Sequence, residues 1–209
     1  KKLKNYSVIV IFSFLFSLYL FEAYILFKLK LNTPESLFNY YNKELKKDKN
    51  LVVAIPPMKH FNEKNLFPFS GISNKKTIHC NENGYFSMYT SDRYGFNNPD
   101  SVWDSIDSSV LMVGDSFLHG ACLNSPHDLT SLLRKKISKN FINVGYFDNG
   151  PLVELASLKE FWQETVNHVL WFYYEGNDLE GIIKEKQNPI LMKYLTNYKF
   201  RQNIREKQT

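Results

Sequence analysis

The chain has 209 residues, 44% of them hydrophobic, with 17 Phe and 13 Tyr. That is enough apolar material for a core and too much for a disordered chain. The net charge is +5, but Lys and Arg are interspersed with acids after the first few residues, so no basic stripe marks a nucleic-acid surface. Two cysteines, Cys80 and Cys122, exclude a disulfide-rich scaffold and a four-cysteine zinc site, and leave open whether they pair with each other. The first residue is Lys rather than Met, and the expectation is of a chain that starts inside a longer one.

Val8 to Phe27 reads VIVIFSFLFSLYLFEAYILF, 20 residues with Glu22 as the one charge. At about 1.5 Å per residue such a helix covers roughly 30 Å, the thickness of a bilayer's hydrocarbon core. No small-residue cleavage site follows Phe27, so an uncleaved anchor over residues 1–30 is expected rather than a signal peptide. Lys1, Lys2 and Lys4 precede the run and Lys28 and Lys30 follow it. Three charges against two favour a cytoplasmic N-terminus and a periplasmic or other extracytoplasmic domain.

Residues 31–107 read as a juxtamembrane linker and an extended lead-in. Asn32 to Asn50 is polar and Lys-rich, suiting a helix or linker. Leu51 to Ile55 is a short apolar run stopped by Pro56 and Pro57, as an edge strand would be. From Lys59 to Asp107 no helical period is sustained, and Asn83-Gly84, Tyr94-Gly95 and Asn98-Pro99-Asp100 mark turns. Extended segments laid over the following domain are expected.

The pattern changes at residue 108. Val110 to Val113 is a continuous apolar run, as a strand buried on both faces is, and Phe141 to Val144 and Val169 to Tyr174 read as the second and third strands. The aromatic run Trp171 to Tyr174 accordingly reads as core. Ser125 is read as an N-cap with Pro126 in the first helical turn, and Leu129, Leu132, Leu133 and Ile137 follow at helical spacing. Leu152 to Trp162 and Leu179 to Lys186 are the next helices, and the tail to Thr209 is mixed, helical and solvated on its Lys-rich face. Strands alternating with helices predict an α/β domain: a three-layer sandwich on a parallel, flavodoxin-like sheet, incomplete here, behind one transmembrane helix. Right-handed crossovers put the strands' carboxyl ends on one edge, where ligands bind.

Polar clusters follow each strand: Gly114-Asp115-Ser116, the turn around Gly150, and Gly176-Asn177-Asp178. A serine hydroxyl at a tight strand-to-helix turn, with backbone N–H groups and an Asn amide aimed at the same space, suits acyl transfer through an acyl-serine and an oxyanion hole. VGDSFLHG (113–120), NVGYFDNGP (143–151) and YEGND (174–178) resemble, in order and spacing, the nucleophile, glycine and asparagine blocks of the SGNH (GDSL-type) hydrolases. SDRYGFNNPDSVWD resembles the lead-in of membrane-linked, cell-envelope members. The resemblance covers about Tyr85 to the end. It implies Ser116 as nucleophile, with Gly150 and Asn177 joining the Ser116 N–H in the oxyanion hole. Gly145 competes with Gly150, because the commoner spacing of the glycine block lands on Asp148.

The family's late Asp-x-x-His has no counterpart here. None of the five histidines follows Asn177, and three strands are fewer than the fold normally has. Together these predict a fragment ending before that block. His119, three residues past Ser116, is expected to point away from it. His127 reads as solvated, His168 as structural, and His60 and His79 as loop residues. Asp115 and Asp178 read as turn-shaping residues. The function expected is a membrane-anchored esterase or O-acyl transferase acting on a carbohydrate or lipid ester, with no cofactor, metal or nucleic-acid partner. A non-catalytic, membrane-tethered carbohydrate-binding module is the alternative. A metal-dependent phosphoesterase would need Asp-x-His and Gly-Asn-His, which the chain lacks.

Overall fold

The computed structural model describes residues 2–29, 34–60, 62, 65–82, 85–176 and 178–207. They form two compact units, 1–49 and 50–209. In the first, α1 (Lys2–Leu29) is apolar throughout, and Val8–Lys28 is long and apolar enough to cross a membrane, with a mean hydropathy of 2.1. From Val8 to Phe27 the large apolar side chains are mostly exposed, and Ser17 donates its hydroxyl proton to the Ser13 carbonyl at 2.8 Å. That bond satisfies the Ser17 hydroxyl, which an apolar medium would otherwise penalise. The juxtamembrane stretch forms α2 (Pro34–Lys47), with Lys46 and Lys47 in its last turn, where cations suit the helix dipole.

The second unit is mixed α/β with two three-stranded sheets. β1 (Leu51–Val53) is an edge strand, pairing parallel to β2 (Lys76–Ile78), which pairs antiparallel to β3 (Met88–Thr90). The lead-in is therefore partly a sheet, which its weak apolar alternation did not reveal. It belongs to the same unit as the segment after residue 108. The sequence SDRYGFNN folds around one carboxylate. Asp92 Oδ1 accepts from the Tyr94 and Phe96 amides, both at 2.9 Å, and Oδ2 from Asn98 Nδ2 and Trp103 Nε1, both at 2.8 Å. Gly95 has φ +87 at this turn, a conformation that favours glycine.

The second sheet is parallel, in the order β5 (Asn140–Asn143), β4 (Ser109–Gly114), β6 (Val166–Phe172). β4 is wholly buried because alternate residues serve opposite faces. Leu111 and Val113 join Ile142 and the helix α5 (Pro151–Phe161) in a large core shared with Phe67, Phe69 and Phe96 of the lead-in. Val110 and Met112 join Phe141 and Leu118 in a smaller one on the other face. α6 (Asp178–Glu185), α7 (Pro189–Thr196) and α8 (Ile204–Lys207) follow, and Glu160 ties α8 to α5 by accepting from the Ile204 amide at 2.9 Å.

Three expectations need correction. The helix expected after Ser125 begins only at Leu129, as α4 (Leu129–Lys136). Its N-cap is Asp128, whose carboxylate accepts from the Ser131 amide and hydroxyl. Asp out-competes Ser here because both its oxygens bond the first turn. The third strand starts at Val166, so His168 lies within it, paired opposite Val110. Finally, Trp171, Tyr173 and Tyr174 are not core. Trp171 is 58% exposed, because β6 is an edge strand among the described residues and only its β4 side is covered.

Candidate active site

β4 ends at Gly114, where a Cβ would lie 3.0 Å from the Phe172 Cβ and 3.1 Å from that of Leu118. Only a side chain without Cβ lets the strand meet β6 and the following turn this closely. Asp115 then caps the one-turn helix α3 (Ser116–His119): its buried carboxylate accepts from the Phe117 amide at 3.0 Å. Ser116 is the first residue of that helix and is half-exposed, just beyond the carboxyl end of the central strand. Gly120, at φ +76, closes the helix.

β5 delivers the glycine turn beside it, since Val144 and Tyr146 donate to the Met112 and Gly114 carbonyls. Asn143 joins the two turns. Its Nδ2 donates to the Leu118 carbonyl at 2.6 Å and to Thr130 Oγ1 at 2.9 Å, while its Oδ1 accepts from the Gly145 amide at 2.8 Å. A Cβ on Gly145 would fall 2.7 Å from Leu118 Cγ, so this glycine is the packing surface for α3. Asp148 is exposed and has φ +63. The buried Gly150 caps α5, and its amide donates to Glu185 Oε1 at 2.8 Å, while the Leu152 amide donates to Oε2 at 2.8 Å. Both candidate glycine N–H groups thus have carbonyl-type partners, Gly145 in Asn143 and Gly150 in Glu185. Asp148, where the commoner spacing of the glycine block lands, has the left-handed backbone that glycine favours.

After β6, Asp178 Oδ2 accepts from the Tyr174 amide at 2.7 Å, closing the turn as Asp115 closes its own. Asn177 lies outside the described residues. Phe117 and Tyr174, both exposed, approach at 5.0 Å between ring centroids and flank the edge.

Sequence reasoning missed the carboxylates beneath this edge. Glu154, on the buried face of α5, accepts from Trp171 Nε1 at 2.6 Å. Burial pushes its pKa up to about 8, reinforced by the charges of Asp178, Asp115 and Glu185, against the opposing Trp171 bond. Burial likewise raises Asp178 and Glu185. An acid inside the apolar run Leu152-Val153-Glu154-Leu155-Ala156 was the available signal. Next to Glu154, an apolar cavity of about 360 Å³ opens between α5 and the uncovered side of β6, lined by Val113, Leu155, Val169, Trp171 and Ile182.

Neither ring nitrogen of His119 hydrogen-bonds Ser116. The ring is buried between Tyr146, 4.4 Å away in a stacked arrangement, and His79, 4.6 Å away. His127 is exposed. Among the described residues no histidine hydrogen-bonds Ser116. The chain matches no protein-family model, no curated protein and no solved structure with which it was compared.

Proposed function

We propose that the chain carries the nucleophile of a serine esterase or O-acyl transferase site of the SGNH type. The substrate class would be a carbohydrate or lipid ester at the cell envelope, held near a membrane by α1. One observation carries the reading: Ser116 stands, half-exposed, at the end of the central strand of a parallel sheet, where neighbouring strands lead to the other two blocks. The order β5-β4-β6 is second-first-third, that of flavodoxin-like sheets, whose ligand crevice lies at the carboxyl ends between the first and third strands. Buried clusters on both faces of the sheet favour the three-layer arrangement. In this reading Ser116 Oγ attacks the ester carbonyl and the alcohol leaves. Water or a sugar hydroxyl then takes the acyl group, and Gly150, Asn177 and the Ser116 N–H stabilise the oxyanion. The Gly150 amide must leave Glu185 to do so.

The Cys80–Cys122 disulfide supports an extracytoplasmic position for this unit, because such bonds persist in oxidising compartments. The burial of His119 favours the second reading, a tethered module that binds such esters without cleaving them, since no described imidazole serves Ser116 as a base. A fluorophosphonate separates the two. Peptide mass spectrometry of the detergent-solubilised chain should find a covalent adduct on Ser116 that Ser116→Ala abolishes. Intact, folded protein with no adduct on Ser116 would sink the catalytic reading.

A further inference from the structure

Around the disulfide the structure gathers four residues whose side chains bind soft and borderline metals. Cys80 and Cys122 join the arm after β2 to the loop after α3, with their Cα atoms 5.0 Å apart. His79 Nδ1 lies 3.6 Å from Cys80 Sγ. The ring of His119 is 4.6 Å from that of His79, centroid to centroid. His119 is 1% exposed, and neither ring nitrogen has a hydrogen-bond partner. An imidazole buried with two unsatisfied nitrogens is costly, and nothing in a disulfide can repay it. We propose that when this disulfide is reduced, His79, Cys80, His119 and Cys122 form a Cys2His2 site for a zinc ion.

The geometry suits that ion. With Zn–S near 2.3 Å and Zn–N near 2.0–2.1 Å, a tetrahedral site puts sulfur and nitrogen about 3.6 Å apart and the two sulfurs about 3.8 Å apart. His79 and Cys80 already stand at the first of these separations. The disulfide holds the sulfurs too close together for the second, so no metal set exists while it is closed. Tyr146 and Phe147 wall the rings from water, while the partial exposure of His79 and Cys80 leaves a way in. The chemistry balances with a small-molecule thiol as reductant. Two thiols reduce the disulfide to two cysteine thiols and leave as their own disulfide; the zinc ion then replaces the two thiol protons. The ion neutralises two thiolates, so no further counter-charge is needed. Disulfide and zinc would be alternative clasps between the same two segments. This site does not depend on the esterase reading.

The test uses the full chain in detergent, metal-stripped, with Co²⁺ as the probe. The reduced protein should bind one Co²⁺ and show tetrahedral d–d bands with a thiolate charge-transfer band, whereas the oxidised protein should show neither. His119→Ala should weaken Co²⁺ binding at least about tenfold. Because that variant could unfold, X-ray absorption on the zinc-loaded wild type is the second measurement. A shell of two sulfurs and two imidazole nitrogens is the result expected. No charge-transfer band in the reduced, folded protein would overturn the proposal. So would a first shell of another composition, or a folded His119→Ala variant that binds as tightly as wild type.

Discussion

The amide of Gly150 donates to Glu185 Oε1 at 2.8 Å across 35 residues of sequence. Glu185 Oε2 takes the Leu152 amide, so one buried carboxylate from the end of α6 holds the start of α5. A Cβ on Gly150 would lie 2.8–2.9 Å from that carboxyl group. The glycine is there because the carboxylate comes so close; its φ of −112 makes no special demand.

Glu185→Ala strips the partner from two buried amides and should cost about 2–4 kcal/mol of stability. Gly150→Ala should lose a comparable amount by pushing the carboxylate away. Urea unfolding followed by circular dichroism measures both. A loss below about 0.5 kcal/mol in each would show that the contact holds nothing.

Glu154 predicts a pH dependence of stability. Its folded pKa, about 8, lies above its ordinary 4.5, so the folded state holds the proton more tightly than the unfolded state. The contribution is therefore complete below pH 4.5, declines as pH rises, and is gone above pH 8, a swing of up to about 5 kcal/mol. Glu154→Gln keeps the neutral shape and should flatten this slope. The variant should match wild type near pH 4 and exceed it near pH 8.5. Thermal melts across that range decide it, and a difference from wild type that does not change with pH would count against the burial argument. Asp178, Glu185 and Asp92 shift in the same direction, so the comparison with Glu154→Gln is what isolates one group.

Asp92→Ala removes the acceptor for four buried or nearly buried donors and should cost about 3–5 kcal/mol. Its effect should reach the candidate site. Asn98, which bonds Asp92, also bonds the Asn143 backbone at both N–H and carbonyl, and the Asn143 side chain holds α3. Hydrogen exchange should therefore speed up at Leu118 and Gly145 as well as at residues 94–98. Acceleration confined to the lead-in would break that link.

Much of this architecture is legible along the chain. Largely apolar stretches at 110–113, 141–144 and 169–174, each stopped by a polar turn, mark the parallel strands within a few residues, because strand patterning and turn chemistry are local. The apolar span of α1 and the turn-shaping roles of Asp115 and Asp178 are local too. Partnership is not. The sequence cannot say that Glu185 rather than a substrate oxygen receives the Gly150 amide, or that Asp92 gathers four donors. Nor can it show that His119 meets His79 and Tyr146, or that Trp171 stands at an uncovered edge. Those outcomes depend on which remote segments pack together. A hydrogen bond or a buried ring acts over a few ångströms of space, whatever the number of residues between its ends.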